Sequence, residues 1–172
     1  RSVSANRHFY RGLDYDDKGL YDEAIEKYRD AISADPNFVY ARNNLGVIYY
    51  KTGKLDSALE EYEKALEIEP ENKIVRINYA HSLGATGQPV KALEIFHRLQ
   101  EEYPDDAEIS YGLGLVYNST GELDKAVEYF KLMLLKDPQS QDTLINLSAI
   151  YLERGNLEEG MKYFDQLDES KI

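Results

Sequence analysis

The stretch VYARNNLGVIYYKTGKLDSALEEYEKALEIEP, Val39 to Pro70, decides the fold. It holds two segments whose apolar residues recur every three to four positions, the spacing of one face of an α-helix. The first passes through Leu45, Gly46 and Tyr49, the second through Leu55, Ala58, Tyr62 and Ala65. Thr52-Gly53-Lys54 separates them and predicts a tight reversal, because glycine reaches the positive φ that ends a helix. Pro70 closes the stretch, since a proline pushes the residue before it out of the helical region.

The same pattern runs outward in both directions. Pro36, Pro70, Pro104 and Pro138 lie 34 residues apart. Gly19, Gly53, Gly87, Gly121 and Gly155 keep that interval, as do Ala24, Ala58, Ala92, Ala126 and then Gly160. So do the aromatics Tyr28, Tyr62, Phe96, Phe130 and Phe164. A fixed period of this length marks a repeat array. Five repeats follow, over residues 5–38, 39–72, 73–106, 107–140 and 141–172, after a lead-in at residues 1–4 expected to be disordered. The first helix of repeat one is expected from about Asn6. One helix pair cannot bury its apolar face alone, so neighbouring repeats must stack. Repeat three has Ala80 at the first-helix glycine place and Pro89 at the start of its second helix, where a missing N–H costs little. Repeat five carries Ser148 and Gly160 at the two small-residue places, which predicts the softest second helix.

Net charge is −12, and the acidic excess is spread over all five repeats. No basic patch offers a footprint for a phosphate backbone, so nucleic acid is not an expected partner. The acidity reads as solvated, solubilising surface. There is no cysteine, hence no disulfide framework and no thiolate chemistry. No apolar run approaches the ~20 residues that span a bilayer, and no signal peptide is visible. A cytoplasmic protein is the expectation, with peripheral attachment to an organelle or membrane surface through a partner.

Leu45-Gly46, Tyr49, Gly53, Ala58, Tyr62, Ala65 and Pro70 together resemble the tetratricopeptide repeat. The resemblance covers all but the first few residues. It implies an all-α fold, a right-handed superhelical solenoid of antiparallel helix pairs. Gly46 or Gly114 opposite Ala58 or Ala126 would let the two helices of a repeat approach closely. The aromatics at the 24th place of each repeat would fill the gaps between repeats. In this family the first helix of each repeat lines a concave surface, and that is where a protein or peptide partner is expected.

Counting round the first helices puts Tyr10, Tyr40, Asn44, Tyr50, Ile77, Asn78, His81, Tyr111, Asn118 and Asn146 on that surface, together with Phe9, Ile74 and Ile145. Asparagine recurs at the sixth place as Asn44, Asn78 and Asn146, interrupted by Gly112. A side-chain amide offers one acceptor and two donors, which matches an extended peptide backbone. Asparagines at this place resemble the backbone-gripping ladder in the tetratricopeptide arm of O-GlcNAc transferases. The alternative is that they cap or bridge neighbouring helices. The tyrosines add area at small entropic cost, as recognition surfaces do. The family's carboxylate clamp is disfavoured, because Phe9, Asn43, Ile74 and Ile77 stand where it would need lysine.

Catalytic and metal readings find little support. His8, His81 and His97 have no ligand-like spacing. Asp14-Tyr15-Asp16-Asp17-Lys18-Gly19 starts like a calcium loop but has Lys18 at its fifth position and Ile25 at its twelfth. Gly112-Leu113-Gly114 lies within a helical pattern and follows no strand, so it is no phosphate loop. No enzyme, cofactor or metal site is expected. At the C-terminal end, Gly160, Met161, Phe164 and Leu167 should face the place of a missing neighbour, which makes Met161, Phe164 and Leu167 a candidate end contact.

The expected function is a non-enzymatic interaction scaffold that holds peptide-like segments and extends to homo-oligomeric self-assembly. Its layout is similar to stand-alone bacterial arrays such as the magnetosome-associated tetratricopeptide proteins, thought to coat an organelle by self-assembly. The alternative is the substrate-targeting arm of a larger enzyme, such as a glycosyltransferase.

Overall fold

The computed structural model describes residues 2–167, and all of the regular structure among them is helical. Each repeat supplies one antiparallel pair. Repeat one gives α1 (Val3–Asp17) and α2 (Tyr21–Ala34), repeat two α3 (Val39–Lys51) and α4 (Leu55–Ile68). Repeat three gives α5 (Lys73–Ala85) and α6 (Pro89–Glu102), repeat four α7 (Ala107–Ser119) and α8 (Leu123–Lys136). Repeat five gives α9 (Gln141–Glu153) and α10 (Leu157–Phe164). This is an all-α helical-repeat fold.

The turn inside the deciding stretch forms as its residues require. Gly53 has φ of 76°, and its N–H donates to the Tyr50 carbonyl at 3.1 Å while Lys54 N–H donates to that of Tyr49 at 2.8 Å. Those two bonds satisfy carbonyls that the end of α3 would otherwise leave without partners. The other four turn glycines share the same backbone state. Between repeats, Asp35 is extended before Pro36, and Asn72 and Asp106 cap α5 and α7 by accepting from backbone N–H groups. Pro89 is the first residue of α6, where its ring fits.

The chain divides into two compact bodies, residues 1–91 and 92–172. In the first, α1 packs on α2, α2 on α3, α3 on α4 and α4 on α5. Its core contains Ala24, Tyr28, Leu45, Ile48, Ala58, Tyr62 and Val75. In the second, α7 packs on α8, α8 on α9 and α9 on α10. The aromatics Tyr28, Tyr62, Phe96 and Phe130 are no more than 1% exposed, whereas Phe164, at the same place in repeat five, is 52% exposed.

Four features differ from the sequence reading. The first helix starts at Val3 rather than near Asn6, because Ser2 caps it by accepting from the Ala5 N–H at 3.0 Å, so it reaches into the supposed lead-in. At Gly46 the space that a Cβ would need is taken by the ring of Tyr62, 2.6 Å away, rather than by the methyl of Ala58. The close approach is therefore glycine to aromatic. In repeat five the two departures compensate, since Ser148 Oγ donates to the Gly160 carbonyl at 3.0 Å in a buried position. Gly160 itself is buried against Leu152 instead of facing outward.

Candidate functional site

In the first body the two asparagines singled out by sequence are joined through a third. Asn78 Nδ2 on α5 donates to Asn43 Oδ1 on α3 at 2.9 Å. Asn43 Nδ2 donates to Asn44 Oδ1 at 3.3 Å, and Asn44 Nδ2 reaches the Tyr28 hydroxyl on α2 at 3.4 Å. A line of amides thus crosses from repeat three through repeat two to repeat one. Asn43 is 7% exposed, so its amide is desolvated and must find such partners. Burial raises the Tyr28 hydroxyl to about 12, with the Asn44 bond acting in the opposite direction. The tyrosine is a neutral partner for the line at all physiological pH. These contacts form a bridge between neighbouring helices.

Exposed aromatics flank this line. Tyr40 lies one turn before Asn44, and Tyr50 two turns after Asn43, both on α3 and both exposed. Tyr10 on α1 is 67% exposed, with its ring edge-on to Phe9 at 5.7 Å. Ile74 on α5 is exposed too. Phe9 belongs to the packing instead, its ring 4.8 Å from Phe38 and 5.8 Å from Tyr28. Ile77 was placed on the binding surface by counting and is not there. It is 2% exposed, a core side chain of α5. His81, one turn on, is half-buried, and burial lowers its imidazole to about 4. It is neutral at pH 7.

The second body holds the remaining candidates. Tyr111 on α7 is half-buried, its ring 5.9 Å from that of Phe130. Asn118 is half-buried in the last turn of α7, and its carbonyl accepts from the Gly121 N–H. Asn146 donates to the Asp142 carbonyl within α9 at 2.8 Å, a local bond and not a bridge. Met161 and Phe164 are exposed on α10, while Leu167 just beyond it is half-buried.

A recurring joint escaped the sequence reading. The second helix of one repeat meets the first helix of the next through residues 20 positions apart: Arg29 Nη2 donates to the Tyr49 hydroxyl at 2.7 Å, and His97 Nε2 lies 2.9 Å from the Tyr117 hydroxyl. Lys131 stands at the same place before Tyr151, its ammonium 5.6 Å from the ring centroid. The tyrosines share a place, but their partners differ in type, which hides the pairing from a count of identities.

Among the described residues no group of His, Cys, Asp or Glu is arranged to hold a metal ion. Among them, too, no helix is long and apolar enough to cross a membrane.

Comparison with known proteins agrees with the helical-repeat fold. Family models described as tetratricopeptide repeat match residues 11–73, and residues 52–116 and 117–171. The chain is similar to a crystal structure of MamA protein, with 26% identity over 95% of this chain and 89% of that one and a TM-score of 0.73. It shares 23% identity with PilW, described as a widely conserved type IV pilus biogenesis factor, over 96% of this chain and 77% of that one, with a TM-score of 0.87. A MamA from Desulfovibrio magneticus RS-1 gives 18% identity over 96% and 93% of the respective chains, with a TM-score of 0.78. The last two likenesses are of fold alone. Among curated proteins none matches the chain.

Proposed function

This chain belongs to the tetratricopeptide-repeat family, and we propose that it is a non-enzymatic scaffold that holds a peptide-like segment of a protein partner. The segment lies against α1, α3 and α5 of the first body. The observation that carries this reading is the row of exposed Tyr10, Tyr40 and Tyr50 beside the amide line of Asn78, Asn43 and Asn44. A primary amide has two N–H groups and one acceptor oxygen. A bond from one amide to the next fixes its plane and leaves a further N–H to meet a partner's backbone. The amides are therefore held in place before any partner arrives, which lowers the ordering cost of binding. The tyrosines supply rigid apolar area with a polar tip.

Photo-crosslinking tests this reading. A benzophenone amino acid placed at Tyr50 in the full chain should trap a protein from the native extract, and Asn78→Ala should reduce the yield. Equal yields from Tyr50 and from a control probe at Glu67, on the second helix of the same repeat, would overturn it.

Self-assembly is a second reading, favoured by one observation. Phe164 is exposed where its four counterparts are covered. A second copy that covers Phe164 and Met161 would bury the apolar surface left open there, and a contact of this head-to-tail kind propagates. A coat of the magnetosome-associated type, on a cytoplasmic organelle surface, is its specific form. Molar mass by light scattering should climb with concentration and fall back in Phe164→Asp. A constant monomer mass would sink it.

A further inference from the structure

We propose that a cleft between α8 and α10, in the second body, is a second binding site, for an acidic peptide segment that carries an apolar side chain between carboxylates. It is independent of the surface in the first body. The cleft has a volume of about 370 Å³. Leu134, Leu135 and Pro138 form its apolar wall, Lys131 and Lys162 flank them, and Tyr163 and Gln166 complete the lining. No aspartate or glutamate lines it.

The repeat supplies an internal control. A cleft of about 500 Å³ in the first body occupies the equivalent place between second helices. Arg29, Ile32 and Ser33 there stand three periods before Lys131, Leu134 and Leu135, and Glu60, Glu61 and Lys64 stand three periods before Lys162, Tyr163 and Gln166. In that first cleft the cations are answered from within. Glu61 holds Arg42 at 3.0 Å, and Glu60 holds Lys64 at 2.6 Å. In the second cleft both carboxylates are replaced, one by a further lysine. Lys162 reaches Glu159 of its own helix only at 3.7 Å, and Lys131 lies over the Tyr151 ring. Hydrogen bonding to Tyr151 raises the Lys131 ammonium above its ordinary range, so it stays charged.

The apolar wall changes in the same direction. Leu135 is 77% exposed, whereas the other repeats place Ser33, Glu67 and Glu101 there. Leu132, exposed on the same helix but lining a neighbouring pocket with Asp105 and Lys136, replaces Asp30, Lys64 and Arg98. Leu134 and Leu135, flanked by two ammonium groups, form an amphipathic cleft of positive sign. Its complement is a leucine- or phenylalanine-sized side chain with carboxylates on either side. A peptide satisfies that within one or two residues. A bilayer does not, because its flat anionic surface cannot enter a concave cleft and would meet a chain whose net charge is −12. At physiological salt the screening length is ~8 Å, so distant carboxylates are damped, and Lys131 and Lys162, with Glu159 3.7 Å from Lys162, set the charge a docked peptide meets there.

The experiment is fluorescence anisotropy with the full 172-residue chain and a labelled synthetic peptide in which a leucine–phenylalanine pair is flanked by glutamates. Binding should saturate, and the Lys131→Glu/Lys162→Glu double variant should weaken it at least ~tenfold. A peptide with lysines in place of the glutamates should bind at least ~tenfold more weakly to the parent chain. Leu135→Ala, at a side chain too exposed to matter for folding, should also weaken binding while circular dichroism stays unchanged. Three outcomes would overturn the proposal: no saturable binding, equal affinity of the parent and both variants, or binding to phosphatidylserine vesicles without binding to the peptide.

Discussion

Asn78 on α5 donates its amide N–H to the amide oxygen of Asn43 on α3 at 2.9 Å, joining equivalent helices of consecutive repeats side chain to side chain. Asn43 is the hub of the line, since it also donates to Asn44. Replacing the hub leaves two amides without their partner. Losing a neutral bond costs about 1 kcal/mol, and leaving a buried polar group unsatisfied costs about 1–3 kcal/mol. Asn43→Ala is expected to fall in that upper range, and Asn44→Ala, at the longer 3.4 Å bond to Tyr28, below it. Urea midpoints at constant m-value decide the order, and an equal loss would mean that the line carries no more than its single bonds.

The contact between Gly46 and Tyr62 sets a steric prediction. A Cβ on residue 46 would sit 2.6 Å from Tyr62 Cε1, inside van der Waals contact, and the ring is buried on all sides. Gly46→Ala therefore forces the ring to shift and should cost about 1–3 kcal/mol through overpacking, against the gain of up to ~1 kcal/mol that alanine normally brings to a helix interior. Gly46→Ala combined with Tyr62→Leu should recover part of the loss. Thermal denaturation of the single and double variants measures the coupling.

Much of the fold was legible because its packing residues recur in one register. The places of Tyr28, Tyr62, Phe96 and Phe130 announced the buried aromatics, and Gly53 the turn. The site was less legible for a physical reason. Periodicity says which side of a helix faces the next one, but not how wide a strip the neighbour covers, and Ile77 fell inside that strip. Asn43 stands at a groove place where a carboxylate clamp would need lysine, and its part as the bridge was not legible because that part depends on Asn78 in another repeat. The cleft beside Lys131 and Lys162 likewise exists only where residues of two repeats meet.

His81 gives the chain a pH-dependent term. Burial holds its folded-state pKa near 4, below the ordinary 6.5 of the unfolded chain. Below pH 6.5 the unfolded state binds the proton that the folded state refuses. The contribution is therefore fully present above pH 6.5 and is lost as pH falls towards 4. Because the ring keeps some contact with solvent, the loss is about 1–3 kcal/mol. His81→Gln should flatten the difference in stability between pH 7 and pH 4 relative to the parent. Carboxylate titration is common to both proteins and cancels in the comparison. Parallel pH profiles would mean that His81 takes up its proton equally well in the folded chain.

The joints between repeats carry a last prediction, which uses two chemically different bonds to the same kind of tyrosine. Tyr49 accepts from the permanently charged Arg29 at 2.7 Å, and Tyr117 is bonded to His97 at 2.9 Å. Both rings are largely buried, and both substitutions to phenylalanine remove a single hydroxyl. Hydrogen bonds to charged groups contribute about 1.5–3 kcal/mol, against about 1 kcal/mol for neutral pairs. Tyr49→Phe, which removes the acceptor of a guanidinium, should therefore cost more than Tyr117→Phe. Hydrogen exchange on the full chain reads the same joints locally. Tyr49→Phe should raise exchange in α2 and α3, and Tyr117→Phe in α7, because each joint ties a second helix to the first helix of the next repeat. A larger cost for Tyr117→Phe would show that ring packing, such as the stack of Tyr117 on Tyr129 at 5.6 Å, outweighs the hydroxyl bond.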